Sequence, residues 1–457
     1  MALVRKSSPA RNTLFEFDSP VLWTAAAWCF ALICWMFTPD SVVYYFIPNG
    51  RYFSFSSMAF FTLCFLFFWI GLSIGTRFVR KHENRRILLS ACWQNPASAN
   101  KLLGRVMVVC AFMVLIGAAC QLMHTVLILA GRAQEFDFEA VLTYRRVYGD
   151  SAIQGITIFK FIALPGFVLA TIGSMVSEKC KMRGPTKKFR VLQLISLVIP
   201  GFSAMLGTRL IALMWVVPFC YLKLGFVYRL QNNPRPFKHL IKTAFIMIVV
   251  FCTLYSAGHY LRHYKRVLSG QTSVMTYARD AEGFYGYTFL TFLSYPFRTI
   301  NNGLVVVDHF DHHSYLWRSL RWLYSGFGIE KLDPGDLIHG AKENMMLLDY
   351  VGLAYFGATN ASLPGYLFID LGWLALIMIL LLGVFVGVFY HLWQKTALLG
   401  WVVMPIMITP LLDSWRTDVF FRSVTMVCIF SAIAAGLYVE KKCRSIWQRE
   451  LNRIVWR

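Results

Sequence analysis

FSSMAFFTLCFLFFWIGLSIGT, residues 55–76, runs for 22 positions without a charged side chain. About 20 apolar residues wound as a helix match the roughly 30 Å hydrocarbon core of a bilayer. No water reaches the backbone there, so the segment satisfies its own N–H and C=O groups as a helix. Comparable runs at 21–38, 106–130, 158–177, 191–206, 210–228, 243–260, 366–390, 398–412 and 421–439 predict about ten transmembrane helices. Composition agrees: 57% of the 457 residues are hydrophobic and mean hydropathy is +0.54, beyond the usual soluble range. The expected fold class is an all-α polytopic membrane protein with a single membrane domain over 1–457. Its parts are a cytoplasmic tail (1–20), helices one to seven (21–260), a large periplasmic loop (261–365), helices eight to ten (366–439) and a basic tail (440–457). The first run follows Arg5, Lys6 and Arg11 and lacks a small-residue cleavage site, so it reads as a span rather than a removable signal.

Net charge is +22, and its placement gives the orientation. With the N-terminus inside, 28 of the 45 Lys and Arg residues and only six acids fall in cytoplasmic segments. Those six are Glu16, Asp18, Glu83, Glu178, Glu440 and Glu450. The remaining 17 basic residues are balanced by 17 acids, so the whole net charge lies on one side. Lys and Arg collect on the cytoplasmic side of membrane proteins, where anionic headgroups attract them. This distribution predicts N-in and C-in ends and excludes nucleic acid as the partner of the basic charge. All 11 cysteines fall in spans or inner segments, so neither a disulfide framework nor a zinc spacing is implied.

The expected outer face is uneven. Residues 39–54 and 131–157 form short and medium loops, while 261–365 is too long to be a mere connector. Within it, the aromatic run 284–297, closed by Pro296 and Arg298, is too short to span and predicts an interfacial or re-entrant helix.

Four polar features carry chemistry. Gly207-Thr208-Arg209 forms a tight turn between spans five and six, where backbone amides and an arginine fork suit phosphate oxygens. His259, Arg262, His263 and Arg266 share one helical face at the end of span seven, beside Tyr264 and Lys265. The large loop carries Arg279, Asp280, Glu282, Arg298, Asp308, Asp311, His339 and Glu343 among aromatics that suit sugar faces. There Asp308-His309-Phe310-Asp311-His312-His313 reads as solvated loop sequence, with an Asp308/Asp311 metal pair the alternative. Finally, Asp370 opens span eight, and Asp413, Arg416, Asp418 and Arg422 gather between spans nine and ten. Ionisable groups at membrane depth mark either ligand sites or structural pairs. No nucleotide-binding, hydrolase or metalloprotease fingerprint occurs.

The Leu206–Arg209 turn, the His259–Arg266 stripe, Tyr277–Glu282 and Asn344–Gly372, set around a large loop before the last three spans, resemble Wzy-type O-antigen or repeat-unit polymerases. The nearest layout is that of the enterobacterial common antigen polymerase. The family's turn often carries a second glycine where this chain has Leu206. The resemblance implies a metal-independent glycosyltransferase, without cofactor, in the bacterial inner membrane. Its substrate would be an oligosaccharide on undecaprenyl diphosphate, and a chain-length regulator membrane protein a further partner. Arg209, Arg262, Arg266, Arg279, Arg298 and Arg416 would bind the diphosphate, and His263, Asp280 and Glu343 would handle protons. An O-antigen ligase delivering glycan to a lipid A core shares the architecture, and a lipid-linked glycan flippase is the reading from another class. The orientation has a direct check: a reporter fused at Ser314 is expected in the outer compartment and one fused after Arg457 in the cytoplasm. The reverse at either site overturns it.

Overall fold

The computed structural model describes residues 16, 18–39, 51–79, 89, 96–130, 159–205, 209–230, 284–309, 313, 361–416 and 419–455, with isolated positions between 241 and 253. These residues are about 90% helical and form no strand. Among the described residues, seven helical stretches are long and apolar enough to cross a membrane. Six lie in α1 (Pro20–Phe37), α2 (Phe55–Val79), α3 (Pro96–Ala130), α4 (Ala163–Lys179), α7 (Arg209–Gly225) with the π turn Phe226–Leu230, and α12 (Ser423–Val455). The seventh is α9 (Ser362–Leu371) joined to α10 (Ala375–Gln394). The predicted span at 243–260 falls almost wholly outside the described residues. The chain is therefore an all-α multi-pass membrane protein.

Two predicted spans are built differently from the sequence reading. Residues 191–206 divide between α5 (Arg183–Ser196) and α6 (Val198–Met205). Helix α5 is amphipathic: Thr186, Phe189, Leu192 and Ser196 are buried, while Lys187, Lys188 and Arg190 are exposed. The span at 398–412 is α11 (Leu398–Leu412), only 15 residues long and buried along nearly all its length.

The closest helix pair is α2 against α10. A Cβ added at Gly71 would strike the Leu380 carbonyl, and one at Gly75 the Val384 carbonyl. Reciprocally, one at Gly383 would strike the Phe68 carbonyl and one at Gly387 the Leu72 carbonyl. Residue numbers rise together along the contact, so the helices run parallel. Two Gly-x-x-x-Gly faces thus meet, and the missing side chains let backbone lie on backbone. Lipid offers no hydrophobic drive between helices, so such close packing supplies the attraction, helped by Cα–H···O contacts.

One rim of the bundle is fastened by a buried ion cluster. Arg229 forks onto Asp18, Nε to Oδ2 at 2.5 Å and Nη2 to Oδ1 at 2.7 Å, and also bonds Glu16. Trp393 Nε1 donates to Asp18 Oδ2 at 2.7 Å, and the Tyr221 hydroxyl donates to the Asp18 carbonyl at 2.5 Å. The start of α1 and the ends of α7 and α10 therefore meet on one fully buried carboxylate. Nearby, Glu440 Oε1 accepts the Leu399 amide at 3.2 Å, placing a carboxylate at the N-terminus of α11, where it is favoured. The glycine seam is tested by comparing Gly383→Ala with Gly104→Ala, since a Cβ at Gly104 meets nothing within 4 Å. Gly383→Ala is expected to destabilise by about 1–3 kcal/mol and Gly104→Ala to stabilise by roughly 1 kcal/mol, read as thermal shifts of opposite sign.

Candidate functional site

At the rim away from Asp18, α1 ends at Phe37 and α2 starts at Phe55. Against these ends packs α8 (Phe284–His309), a 26-residue helix. Two expectations are corrected here. Pro296 does not close the aromatic run, because the helix continues through it for 13 further residues. A proline inside a helix costs one backbone bond, but here residues 296–307 are all buried by neighbouring protein. Asp308 and His309 are accordingly the last residues of α8, not solvated loop.

The buried half of α8 carries Arg298, Thr299, Asn301 and Asn302 beside Phe297, Ile300 and Leu304. Residues 51–54 line up against it. The Tyr52 amide donates to Asn301 Oδ1 at 2.7 Å. The Tyr52 hydroxyl lies 2.9 Å from Asp308 Oδ2 and 2.9 Å from His309 Nε2. Burial disfavours the Asp308 charge, yet hydrogen bonds from Ser54, Tyr52, Ser56 and Ser57 outweigh it and hold the carboxyl below the ordinary value. The carboxylate thereby sits at the N-terminus of α2, a favourable place for an anion. With Asp308 ionised, Tyr52 donates to it, and its oxygen then accepts from His309 Nε2–H. A phenol bridging carboxylate and imidazole is a path along which a proton can move.

Arg51 precedes Tyr52 in the chain. Its Nη2 donates to the Thr38 carbonyl at 2.6 Å, beyond the end of α1. Its guanidinium carbon lies 5.8 Å from the Trp35 ring centre and 5.9 Å from that of Phe297. Below, the turn after α11 meets the start of α9: the Leu363 amide donates to the Ser414 carbonyl at 2.7 Å, and Trp28 Nε1 donates to Ser414 Oγ at 3.0 Å. Gly372, with φ +55°, breaks the chain between α9 and α10, and a side chain there would run into the His313 imidazole.

Of the residues expected to bind the diphosphate or handle protons, Arg298 and Arg416 have described side chains. Arg298 is buried on α8, one residue from Phe297. Arg416 forks onto Asp413 with two bonds of 2.7 Å, a neutralised pair. Arg209 is the first residue of α7, but its side chain lies outside the described set. His263, Asp280, Glu343, Arg262, Arg266 and Arg279 lie outside it altogether. Among the described residues no three His, Cys, Asp or Glu side chains gather as metal ligands. Arg51, Tyr52 and Asn301 escaped the sequence reading; the two adjacent amides Asn301 and Asn302 in an apolar stretch were the available signal.

Comparisons with protein-family models, curated proteins and solved structures find no match.

Asp308 supplies a test of the rim. Its folded pKa lies below 3.8, so its stabilisation is complete above that value and lost as pH falls through the folded one. Tyr52→Phe is expected to cost about 1 kcal/mol at neutral pH, since the cluster borders solvent. In thermal melts, the gap between wild type and Asp308→Asn is expected to be full at pH 7 and to close as pH drops below about 4.

Proposed function

We propose that the protein is a glycosyltransferase of the bacterial inner membrane that polymerises oligosaccharide repeat units carried on undecaprenyl diphosphate. On this reading the Asp18 rim faces the cytoplasm and the α8 rim the periplasm. The observation that carries it is Arg298, buried on a helix packed into an apolar bundle, with Arg51 held between Trp35 and Phe297 at the same rim. Burying arginine in a membrane protein is costly, and where it persists it either pairs within the protein or marks an ion or ligand path; the reading proposed takes the second.

The chemistry follows from the leaving group. A hydroxyl of the acceptor unit attacks the anomeric carbon of the donor glycan. The bond from that carbon to the diphosphate oxygen breaks, and the electron pair departs with the lipid diphosphate. Negative charge grows on the leaving group, so fixed arginines bind the transition state more tightly than the ground state. The proton released by the hydroxyl needs an acceptor, and a carboxylate or imidazole at the rim serves.

Purified protein in liposomes, supplied with a lipid-linked repeat unit, is expected to release undecaprenyl diphosphate and build a glycan ladder. Arg298→Ala and Arg209→Ala are each expected to lower the rate roughly 10-fold or more, the loss of one charge-assisted contact of about 1.5–3 kcal/mol. Arg209→Lys is expected to lose much activity too, because an ammonium cannot fork onto two oxygens. Normal ladders from both alanine variants overturn the reading. Transfer only to a lipid A core selects the ligase, and translocation without diphosphate release the flippase.

A further inference from the structure

The turn from α4 into α5 gathers charge of one sign on a single corner. Residues 178–190 hold six cations, Lys179, Lys181, Arg183, Lys187, Lys188 and Arg190, against one acid, Glu178. Arg190 Nη2 pairs with Glu178 at 2.6 Å, and among the described residues no ion pair joins the other five to an acid. All five are exposed. Like charges this close repel, and those at the start of α5 also oppose its dipole, which favours acids there. One of them carries backbone strain as well. The Met182 amide donates to the Ser177 carbonyl at 2.8 Å and the Lys181 amide to the Glu178 carbonyl at 3.0 Å, the turn that ends a helix on a left-handed residue. Lys181 takes that place at φ +57°, where glycine would be unstrained.

Packing decides which way the corner faces. A Cβ at Gly173 would strike the Phe189 ring. Thr186 Oγ1 donates to Ser177 Oγ at 3.0 Å, and Gln193 Nε2 donates to Thr171 Oγ1 at 3.0 Å. These contacts turn one face of α5 onto α4 and leave the opposite face outward. Along the outward face stand Arg183, Lys187, Arg190, Val191, Leu194 and Leu197, at i, i+4, i+7, i+8, i+11 and i+14. The stripe is basic through Arg190 and apolar from Val191 on, where the three side chains are 53%, 66% and 43% exposed. Exposed aliphatic groups on a membrane helix face acyl chains, so the change of character marks the edge of the hydrocarbon. From Arg183 to Arg190 the helix rises about 10 Å, comparable with the roughly 5–8 Å headgroup layer on each side of a bilayer. The cations therefore stand at the depth of lipid headgroups, not out in water where a soluble acidic partner would meet them.

We propose that the α4–α5 corner is a docking surface for anionic phospholipid headgroups. Lys181, Arg183 and Lys187 contact the headgroups, Lys179 and Lys188 stand beside them, and Val191, Leu194 and Leu197 lie along the acyl chains. The overall excess of cations orients the chain; this corner adds a lipid preference carried by named side chains. The ligand is a bulk membrane lipid on helices apart from the α8 rim, so the proposal does not depend on glycosyl transfer.

The test takes the whole protein from nanodiscs of mixed phosphatidylcholine and phosphatidylglycerol into native mass spectrometry and counts the lipids retained. Wild type is expected to retain phosphatidylglycerol in preference. The triple variant Lys181→Gln, Arg183→Gln, Lys187→Gln should lower that preference roughly fivefold for each cation removed, with thermal melts confirming folded protein. The double variant Arg183→Gln, Lys187→Gln, which leaves the strained turn untouched, should show the same effect in part. The control is Lys441→Gln with Lys442→Gln, two exposed cations on α12, and it should keep the wild-type preference. Equal retention of the two lipids by wild type, or an unchanged preference in both corner variants, overturns the proposal. An equal loss in the α12 control overturns it too, because the preference would then be general charge attraction. Displacement of phosphatidylglycerol by soluble polyglutamate at matched charge overturns the lipid in favour of an acidic protein partner.

Discussion

The backbone contact between α2 and α10 sets the position of nearly everything that matters at both rims. Gly71 and Gly75 face Gly383 and Gly387, with each glycine resting against a carbonyl of the partner helix. A contact this close has little freedom to slide, because any side chain in the seam would collide with backbone. It therefore fixes the height of α10 relative to α2. At one end α10 delivers Trp393 to the Asp18 carboxylate. At the other it begins after Gly372, so the seam also fixes where α9 stands and where α8 packs.

The two rims use buried charge in opposite ways. Asp18 is saturated: Arg229, Trp393 and the chain around Tyr221 enclose it, and Trp393 in turn stacks on Trp401 at 4.3 Å. Breaking one partner of such a cluster strands the other in an apolar setting, which costs far more than the cluster itself contributes. It is a fastening. The α8 rim instead holds Asp308, a carboxylate whose bonds come from serines and a tyrosine.

How much of this was legible in the sequence varies with the solvent each segment meets. Apolar runs such as 55–76 are readable because lipid leaves the backbone no choice but a helix. The seam was half legible: the spacings 71/75 and 383/387 are plain, but nothing in either run says which other helix it meets. Helix α8 was misread because Pro296, Arg298, Asn301 and Asn302 look like helix ends and loop when the alternatives are lipid or water. Their surroundings are a third medium, the protein interior, where polar groups find partners that the sequence does not show. Arg51 and Tyr52 do not stand out in the sequence, because the loop at 39–54 is short and holds a single acid, Asp40. Its informative residues were a cation and a phenol.

Placing the polar helix late in the chain has a physical logic. Helix α8 cannot be stable alone in lipid with four polar side chains along one stretch. It requires α1 and α2, which precede it, to cover its apolar face and to offer Tyr52 to Asn301, and α9, which follows it in the chain, closes the remaining side. The same dependence keeps the site together: Gly303 packs so closely on the start of α9 that an added Cβ would press on the Ala361 carbonyl and the Phe61 ring. The polar row from Arg298 to Asp308 is thus held at the junction of four helices rather than on any one of them. A ligand reaching that row would press on α1, α2, α8 and α9 at once. Binding there and the packing of this end of the bundle are then two faces of the same set of contacts.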